Sequence, residues 1–442
     1  MSATTAAPSF SDLSYKITKI ISKKEKQDDG IYFTPPKTVI RCIELLAKAS
    51  FNNILEPSCG SCEFIEKLKG CYPEATITGV EYNKRVYENI RKAYGEYGIY
   101  HDNNAKIKII EGDFLQTGFA DAQTGFADAP KFDLIIGNPP YYVMKKADVK
   151  SDYYDYFDGR PNIFLLFIIK SLTLLTDDGI LCFVLPKSFL NCLYYNKTRK
   201  YIYDNYSILS IEECDDNYID TEQPTIIFMI RKRNTDAAAS SDAGAANNKY
   251  IIRHLANEYT IFSTSKVIKR LDELYVGATT LNALQFKVSV GNIVWNQHKA
   301  ALTDDPQKTR LIYSQDIKNN ILSIKDYTNA AKKNHINKKG CDEPLLVVNR
   351  GYGVGNYNFE YALINCGFHE GHLIYIKEYL IENHLICIKY ANALADADAL
   401  GEKYINIYKS FGDKRTLEFI KLYFGNNAIN TTELLNILPI YL

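Results

Sequence analysis

The stretch Phe132-Asp133-Leu134-Ile135-Ile136-Gly137-Asn138-Pro139-Pro140-Tyr141 decides how this chain is read. A short apolar run closed by Gly and two prolines predicts a buried β-strand over Phe132–Ile136 that stops at a stiff turn. Working outward, similar runs recur at Ile54–Leu55, Thr76–Val80, Lys106–Ile110, Ile180–Leu185, Ile208–Ile211 and Thr225–Ile230. Helical patterns lie between most of them, over Lys37–Lys48, Glu63–Lys69, Lys84–Tyr94, Ile163–Leu175 and Ser188–Tyr203. Strand alternating with helix predicts the α/β class, with a parallel, doubly wound sheet and helices on both faces. Ligands in such sheets collect at the carboxyl ends of the strands, which is where Asn138 stands.

The 442 residues carry 52 basic and 52 acidic side chains, 46% hydrophobic and 24% charged residues. That balance excludes a disordered chain and a uniformly basic nucleic-acid coat. Up to Arg233 there are 29 basic and 31 acidic residues, and beyond it 23 and 21, so any binding of a polyanion must come from local clustering. Ten irregularly spaced cysteines suit a reducing, intracellular compartment better than a disulfide scaffold. Met1–Phe10 shows no signal-peptide pattern, and Ile163–Leu175 is too short and too interrupted to span a bilayer, so no membrane partner is expected. The tract 234–249 is rich in Ala, Ser, Asp and Asn and predicts a linker. It divides an arm (1–29) and an α/β domain (30–233) from a mixed α+β domain (250–442). Gln116–Ala122 repeats unchanged at Gln123–Ala129, as expected of a duplication in a surface loop. Ala391–Leu400 has a similar Ala/Asp bias.

The prolines fix the turn and withdraw backbone donors, so the Asn138 amide oxygen and the Pro139 carbonyl can face one point as paired acceptors. Paired acceptors suit a planar NH2 group, and the ring of Tyr141 suits the aromatic system that bears it. Taken alone, the tetrapeptide could equally be a proline-rich turn. Glu56-Pro57-Ser58-Cys59-Gly60-Ser61-Cys62 follows the first strand; its small residues let backbone approach a ligand, and Glu56 offers an acceptor for an ammonium group. Glu81 ends the next strand, where a carboxylate can hold both hydroxyls of a ribose. Asp113 and Phe114 follow the third, a pairing suited to an adenine amine and an adenine face. Acids at three successive strand ends describe a nucleoside pocket without a phosphate site. Cys59 and Cys62 lack a second Cys or His pair at ligand spacing, so no metal is expected. His369-Glu370-Gly371-His372 reads as a polar turn.

The region from about Ile31 to Arg233 resembles the gamma-class, TaqI-type adenine-N6 DNA methyltransferases of type II restriction–modification systems. The resemblance rests on the order of Gly30-Ile31-Tyr32-Phe33-Thr34-Pro35-Pro36, the Glu56 loop, Glu81, Asp113 and Asn138–Tyr141, followed by Gly159–Asn162 and Gly179–Leu190. It implies a Rossmann-like seven-stranded sheet that binds S-adenosyl-L-methionine, with Thr34 capping the methionine end. Downstream, Gly291–Lys299, Leu311–Tyr313, Val348–Gly353 and Leu435–Pro439 are similar to the family's target-recognition domain. The implied substrate is an adenine flipped out of double-stranded DNA; a companion restriction endonuclease would act separately, and a monomer is expected. Tyr218 or Ile219 takes the place of the family's second base-facing residue. Lys299, Arg350 and Tyr352, in Gly- and Asn-containing turns, are the candidate DNA contacts. Asn138 in place of Ser favours adenine over cytosine-N4, and cytosine-C5 chemistry would need a Pro-Cys dipeptide, which the chain lacks. Protein-glutamine and RNA-base methyltransferases use the same tetrapeptide, and a catalytically inactive DNA-binding subunit is a further alternative.

Overall fold

The computed structural model describes residues 9–442 except 47–48, 95–98, 103–104, 118–130, 217, 221–222, 234–248, 255–258, 328–331, 351–357, 367–374, 393–396 and 425–428. Two compact units divide after Ile268.

In the first unit, β1 (Asn53–Glu56), β2 (Thr76–Glu81), β3 (Ile99–Asp102), β4 (Ala105–Glu111), β5 (Phe132–Gly137), β6 (Leu175–Pro186), β7 (Tyr206–Glu213) and β8 (Thr225–Lys232) form one sheet. Its order is β3-β4-β2-β1-β5-β6-β8-β7. All seven expected strands are present, with β4-β2-β1-β5-β6 parallel and β8 inserted antiparallel between β6 and β7. The eighth strand, β3, is an antiparallel addition to the β4 edge. Alternation across the pleat divides the core. Ile54, Leu134 and Ile136 face one hydrophobic cluster, and Leu55, Ile135 and Leu181 face the other.

The first cluster is covered by α1 (Asp12–Ile20), α3 (Pro36–Leu46), α4 (Glu63–Cys71) and α5 (Lys84–Tyr94), and the second by α6 (Ile163–Leu174) and α7 (Asn196–Asn205). Of the expected helix Ser188–Tyr203, only the second half is α-helical; two 3-10 turns, Lys187–Leu190 and Leu193–Tyr195, precede it.

Two expected boundaries shift. The presumed arm is packed: Ser11 caps α1, Ile17 is fully buried, and Ser14 Oγ donates to Ser61 Oγ at 2.6 Å. Residues 250–268 group with the first unit, not the second. The hairpin Ile251–His254 and Tyr259–Phe262 is held there because Phe262 stacks on Phe228 (5.9 Å, 15°) and the buried Arg199 donates to the Thr260 carbonyl at 2.6 Å. Of the expected linker, 234–249, residues 234–248 lie outside the described residues.

The second unit is mixed α+β. One four-stranded sheet, in the spatial order Phe286–Val290, Leu385–Tyr390, Leu345–Asn349, Tyr361–Ile364, is antiparallel throughout. A smaller sheet contains Leu302–Thr303, His335–Ile336, Thr309–Ile312 and Tyr379–Ile381, and three helices close the chain. Among the described residues no helix is long and apolar enough to cross a membrane.

Candidate active site

Strand order reverses between β1 and β5, so the loops after these two strands flank the crevice where an open α/β sheet binds its ligand. The loops touch. Ser58 Oγ donates to the Asn138 carbonyl at 3.0 Å, and a side chain at Gly137 would come within 3.4 Å of Glu56 Cγ. Beside them lies a cavity of about 210 Å³. Pro57, Ser58, Gly60, Glu81, Asp113, Phe114, Asn138 and Pro140 line it, so eight of the residues singled out in the sequence meet at one place.

Glu81 is 7% exposed. Its two oxygens accept from the backbone N–H groups of Gly60 (2.9 Å) and Asn83 (2.7 Å). Burial outweighs those bonds and, with Asp29 nearby, pushes its carboxyl up to about 7. Asp113 accepts from the Leu115 N–H at 2.8 Å. Phe114 contributes to the cavity wall, but its ring is buried against Phe167 (4.9 Å) with the Lys170 ammonium 5.0 Å from its centre. Glu56 is buried beneath the Gly137 turn and does not line the cavity; burial pushes its carboxyl well up, and its Oε2 has no hydrogen-bond partner. Thr34 is buried behind Ile31, Tyr32 and Phe33, which form that wall.

Asn138 is held from two sides. Its Nδ2 donates to the Tyr32 carbonyl at 3.1 Å, and the Tyr141 hydroxyl donates to its Oδ1. That hydroxyl also lies 2.6 Å from the Val184 carbonyl, so its one proton faces two acceptors. The Tyr141 ring packs edge-on to Phe164 (6.1 Å) and, like Pro139, is not part of the cavity wall. Tyr218 is buried (8% exposed), with its hydroxyl 3.5 Å from Thr225 Oγ1, whereas Ile219 is exposed. In the second unit, Lys299 is exposed beside Trp295, and Arg350 is half-buried with its N–H donating to the His384 carbonyl at 3.0 Å. Tyr352, the turn His369–His372 and the second Gln123–Ala129 repeat lie outside the described residues.

Sequence reasoning passed over Asp29, Tyr82, Asn83, Met144, Lys150 and Tyr153, all on the wall. Two had local signals. Asn83 caps α5 by accepting from the Val86 N–H (3.1 Å), and Asp29 ends α2 (Lys23–Asp29) just before a left-handed glycine. Asn83 Nδ2 donates to Asp29 Oδ2 at 2.9 Å, tying the two sides of the cavity together.

Gly30 has φ +67°, and a Cβ there would meet Pro140 Cβ at 2.9 Å and Tyr141 N at 3.1 Å. Because both contacts belong to the stiff turn, Gly30→Ala is expected to displace Asn138 and lower turnover severalfold, with a stability cost of about 1–2 kcal/mol for the left-handed backbone and about 1–3 kcal/mol more for the overlap. Single-turnover kinetics beside a denaturant curve checks this; unchanged turnover in a folded variant would uncouple Gly30 from the turn.

The sheet order and the crevice at its switch point define the S-adenosyl-L-methionine-dependent methyltransferase fold. Residues 43–219 match the Eco57I restriction-modification methylase family. The type II methyltransferase M.CvrRI of Paramecium bursaria Chlorella virus XZ-6E is 29% identical over 431 residues, 95% of this chain and 96% of that protein. Modification methylase CviBIII of Paramecium bursaria Chlorella virus NC1A is 33% identical over 228 residues, covering 50% of this chain and 55% of that one. Among solved structures, the type IIG restriction endonuclease BpuSI is similar at TM-score 0.42 and 10% identity, over 97% of this chain and 61% of its own. Residues 43–219 are thus similar to the Eco57I restriction-modification methylases, and the similarity to M.CvrRI extends along nearly the whole chain. S-adenosyl-L-methionine is the cofactor of that fold. The residues present suit it: Glu81 keeps lone pairs for two hydroxyls, and the orphaned Glu56 oxygen sits under the loop expected at the methionine end.

Proposed function

We propose that this protein is a site-specific DNA methyltransferase that moves a methyl group from S-adenosyl-L-methionine to the N6 amine of an adenine flipped out of duplex DNA. The observation that carries the reading is that Asn138, one residue past the end of β5, lines the same cavity as Glu81 and Asp113. The cofactor, when bound, supplies a methyl group activated by a sulfonium. Glu81 binds the ribose hydroxyls, Asp113 the adenine amine, and Glu56 acts from beneath the loop on the ammonium end. Asn138 and Pro139 accept the two N–H bonds of the target amine. That amine is a weak nucleophile because its lone pair is drawn into the ring. Two acceptors favour a pyramidal nitrogen with its lone pair free to attack, so positioning and electrostatics do the work without a covalent intermediate. Flipping the base costs a few kcal/mol, and stacking on an aromatic such as Tyr141 returns about 1–3 kcal/mol.

Sequencing the methylated bases in DNA from cells expressing the chain tests the reading. N6-methyladenine at one recurrent motif is expected. Methylated cytosine would move the chemistry to another base, and unmodified DNA with modified RNA or protein would move it to another acceptor.

Hydroxyl donors favour ionised Glu81, whose carboxyl is held at about 7. Affinity for S-adenosyl-L-methionine is therefore expected to fall as pH drops through about 7, approaching tenfold per pH unit below it. In the cofactor-free protein the same raised acid contributes fully to stability below its ordinary value of 4.5 and loses that contribution as pH rises through about 7. Glu81→Gln should bind more weakly and flatten the affinity profile. Calorimetry over this range decides; a wild-type profile as flat as that of the variant would place the ribose elsewhere.

A further inference from the structure

We propose that the face of the second unit that carries Lys299, Lys338 and Lys339 is where this protein grips the phosphate backbone of DNA, an inference that rests on the DNA reading above. Over a chain of zero net charge, residues 295–339 hold nine basic and four acidic side chains. The remainder of the second unit, 269–294 and 340–442, holds 11 basic and 14 acidic. The excess is therefore local, and the fold brings three exposed lysines of it, Lys299, Lys338 and Lys339, to the neighbourhood of His298.

Leu302–Thr303 pairs antiparallel with His335–Ile336. The Ala301 N–H donates to the His298 carbonyl and the Asn337 N–H to the Ala301 carbonyl, both at 2.8 Å. These bonds lay the turns Trp295–Gln297 and Lys299–Ala301 against the end of the strand. As a result, Lys338 Nζ lies 3.3 Å from His298 Nδ1, and the exposed Lys299 ammonium lies 6.0 Å from the centre of the Trp295 ring. Lys338 and Lys339 are exposed beside them.

Three of the four acids are committed to structure. Asp316 is fully buried and accepts from the N–H groups of Tyr313 (2.8 Å) and Lys325 (3.0 Å). Asp304 pairs with Lys333, and Asp326 lies 3.9 Å from Arg310. Elsewhere in the unit acids outnumber bases, and Arg270, Arg415 and Lys389 are paired with Glu418, Asp413 and Glu343. A set of exposed, compact ammonium groups on hydrogen-bonded turns fits a polyanion. Lysines lack the planar fork that reads base edges, so the ligand chemistry is the phosphate backbone, which positions without specifying.

The test is the salt dependence of binding to a fluorescent duplex of arbitrary sequence, in the full chain. For the triple variant Lys299→Gln/Lys338→Gln/Lys339→Gln, the slope of log K against log salt should shrink by about 0.9 for each lysine that contacts a phosphate. Affinity should weaken alike for every sequence, while S-adenosyl-L-methionine binding stays at the wild-type level. The control Lys409→Gln/Lys414→Gln/Lys421→Gln alters three exposed lysines on the C-terminal helices of the same unit and should leave the slope unchanged. An unchanged slope in the first variant, or an equal loss in the control, would overturn the assignment while the DNA reading stands. A wild-type chain that does not bind duplex DNA at all would remove the DNA reading and this face with it.

Discussion

Asn138→Ala is expected to lower methyl transfer by at least about a hundredfold, the scale of removing one preorganised polar group from a reacting centre. S-adenosyl-L-methionine binding should stay near wild type, because the acids proposed to act on the cofactor, Glu56, Glu81 and Asp113, stand at or just past the ends of other strands. The structure adds a condition to this expectation. Asn138 Oδ1, the oxygen assigned to the target amine, accepts from the Tyr141 hydroxyl, while its Nδ2 is fixed on the Tyr32 carbonyl. The side chain is thus oriented before substrate arrives, and Tyr141 must release the oxygen for the amine to use it. The nearby Val184 carbonyl (2.6 Å) gives that hydroxyl an acceptor to keep, so the release need not strand a buried donor. Single-turnover methylation of duplex DNA together with calorimetry separates the two effects. Weak transfer with normal cofactor binding supports the assignment; undiminished transfer in the variant would leave Asn138 as a turn residue only.

How far the sequence could be read follows from what kind of interaction fixes each part. Seven strands were legible because each is an apolar run of five or more residues, or sits between turn residues and a helical pattern. The eighth, Ile99-Tyr100-His101-Asp102, is four residues of mixed polarity and exists by pairing with β4, which no local pattern announces. The same holds for α2, whereas α1 carries a readable signal in its Ser11 cap and its Leu13, Ile17 and Ile20 spacing. Lys23-Lys24-Glu25-Lys26-Gln27-Asp28-Asp29 has no apolar face, and its place is set by Ser22 at one end, Gly30 at the other and Lys26–Asp220 across 2.8 Å. At the site, residues that sit on strand ends were found from the alternating pattern. Lys150 and Tyr153 reach the cavity from the irregular segment after the Asn-Pro-Pro turn, where sequence carries no period to read. Thr34 and Tyr218 illustrate the converse: a motif gave the right neighbourhood, but packing decided that Phe33 faces the cavity and Tyr218 faces Thr225.

Packing also decides where the chain can be cut. A chain ending at Arg233 is expected not to fold stably, whereas one ending at Thr264 should fold, bind S-adenosyl-L-methionine and lose site-specific methylation. The shorter chain removes the hairpin and leaves Phe228 and Phe189 without the ring of Phe262, which lies 5.9 and 6.3 Å from them. Each buried aromatic uncovered costs on the order of 1.5–3 kcal/mol. It also strips from the fully buried Arg199 its bond to the Thr260 carbonyl and the Tyr259 ring 5.6 Å away, leaving Phe189 and Cys192 carbonyls as its partners. An unsatisfied buried charge-bearing donor adds about 1–3 kcal/mol. Together these losses approach the roughly 5–15 kcal/mol that holds a whole domain. The longer chain keeps the hairpin, including the Thr260 N–H bond to Asn196 Oδ1 at 2.8 Å, and drops only the unit proposed to meet DNA. Circular dichroism melts, calorimetry with S-adenosyl-L-methionine and methylated-base sequencing separate the three properties. Equal stability of both truncations would show that the hairpin is a passenger on the sheet. Retention of the same methylated motif by the chain ending at Thr264 would move target recognition into the first unit.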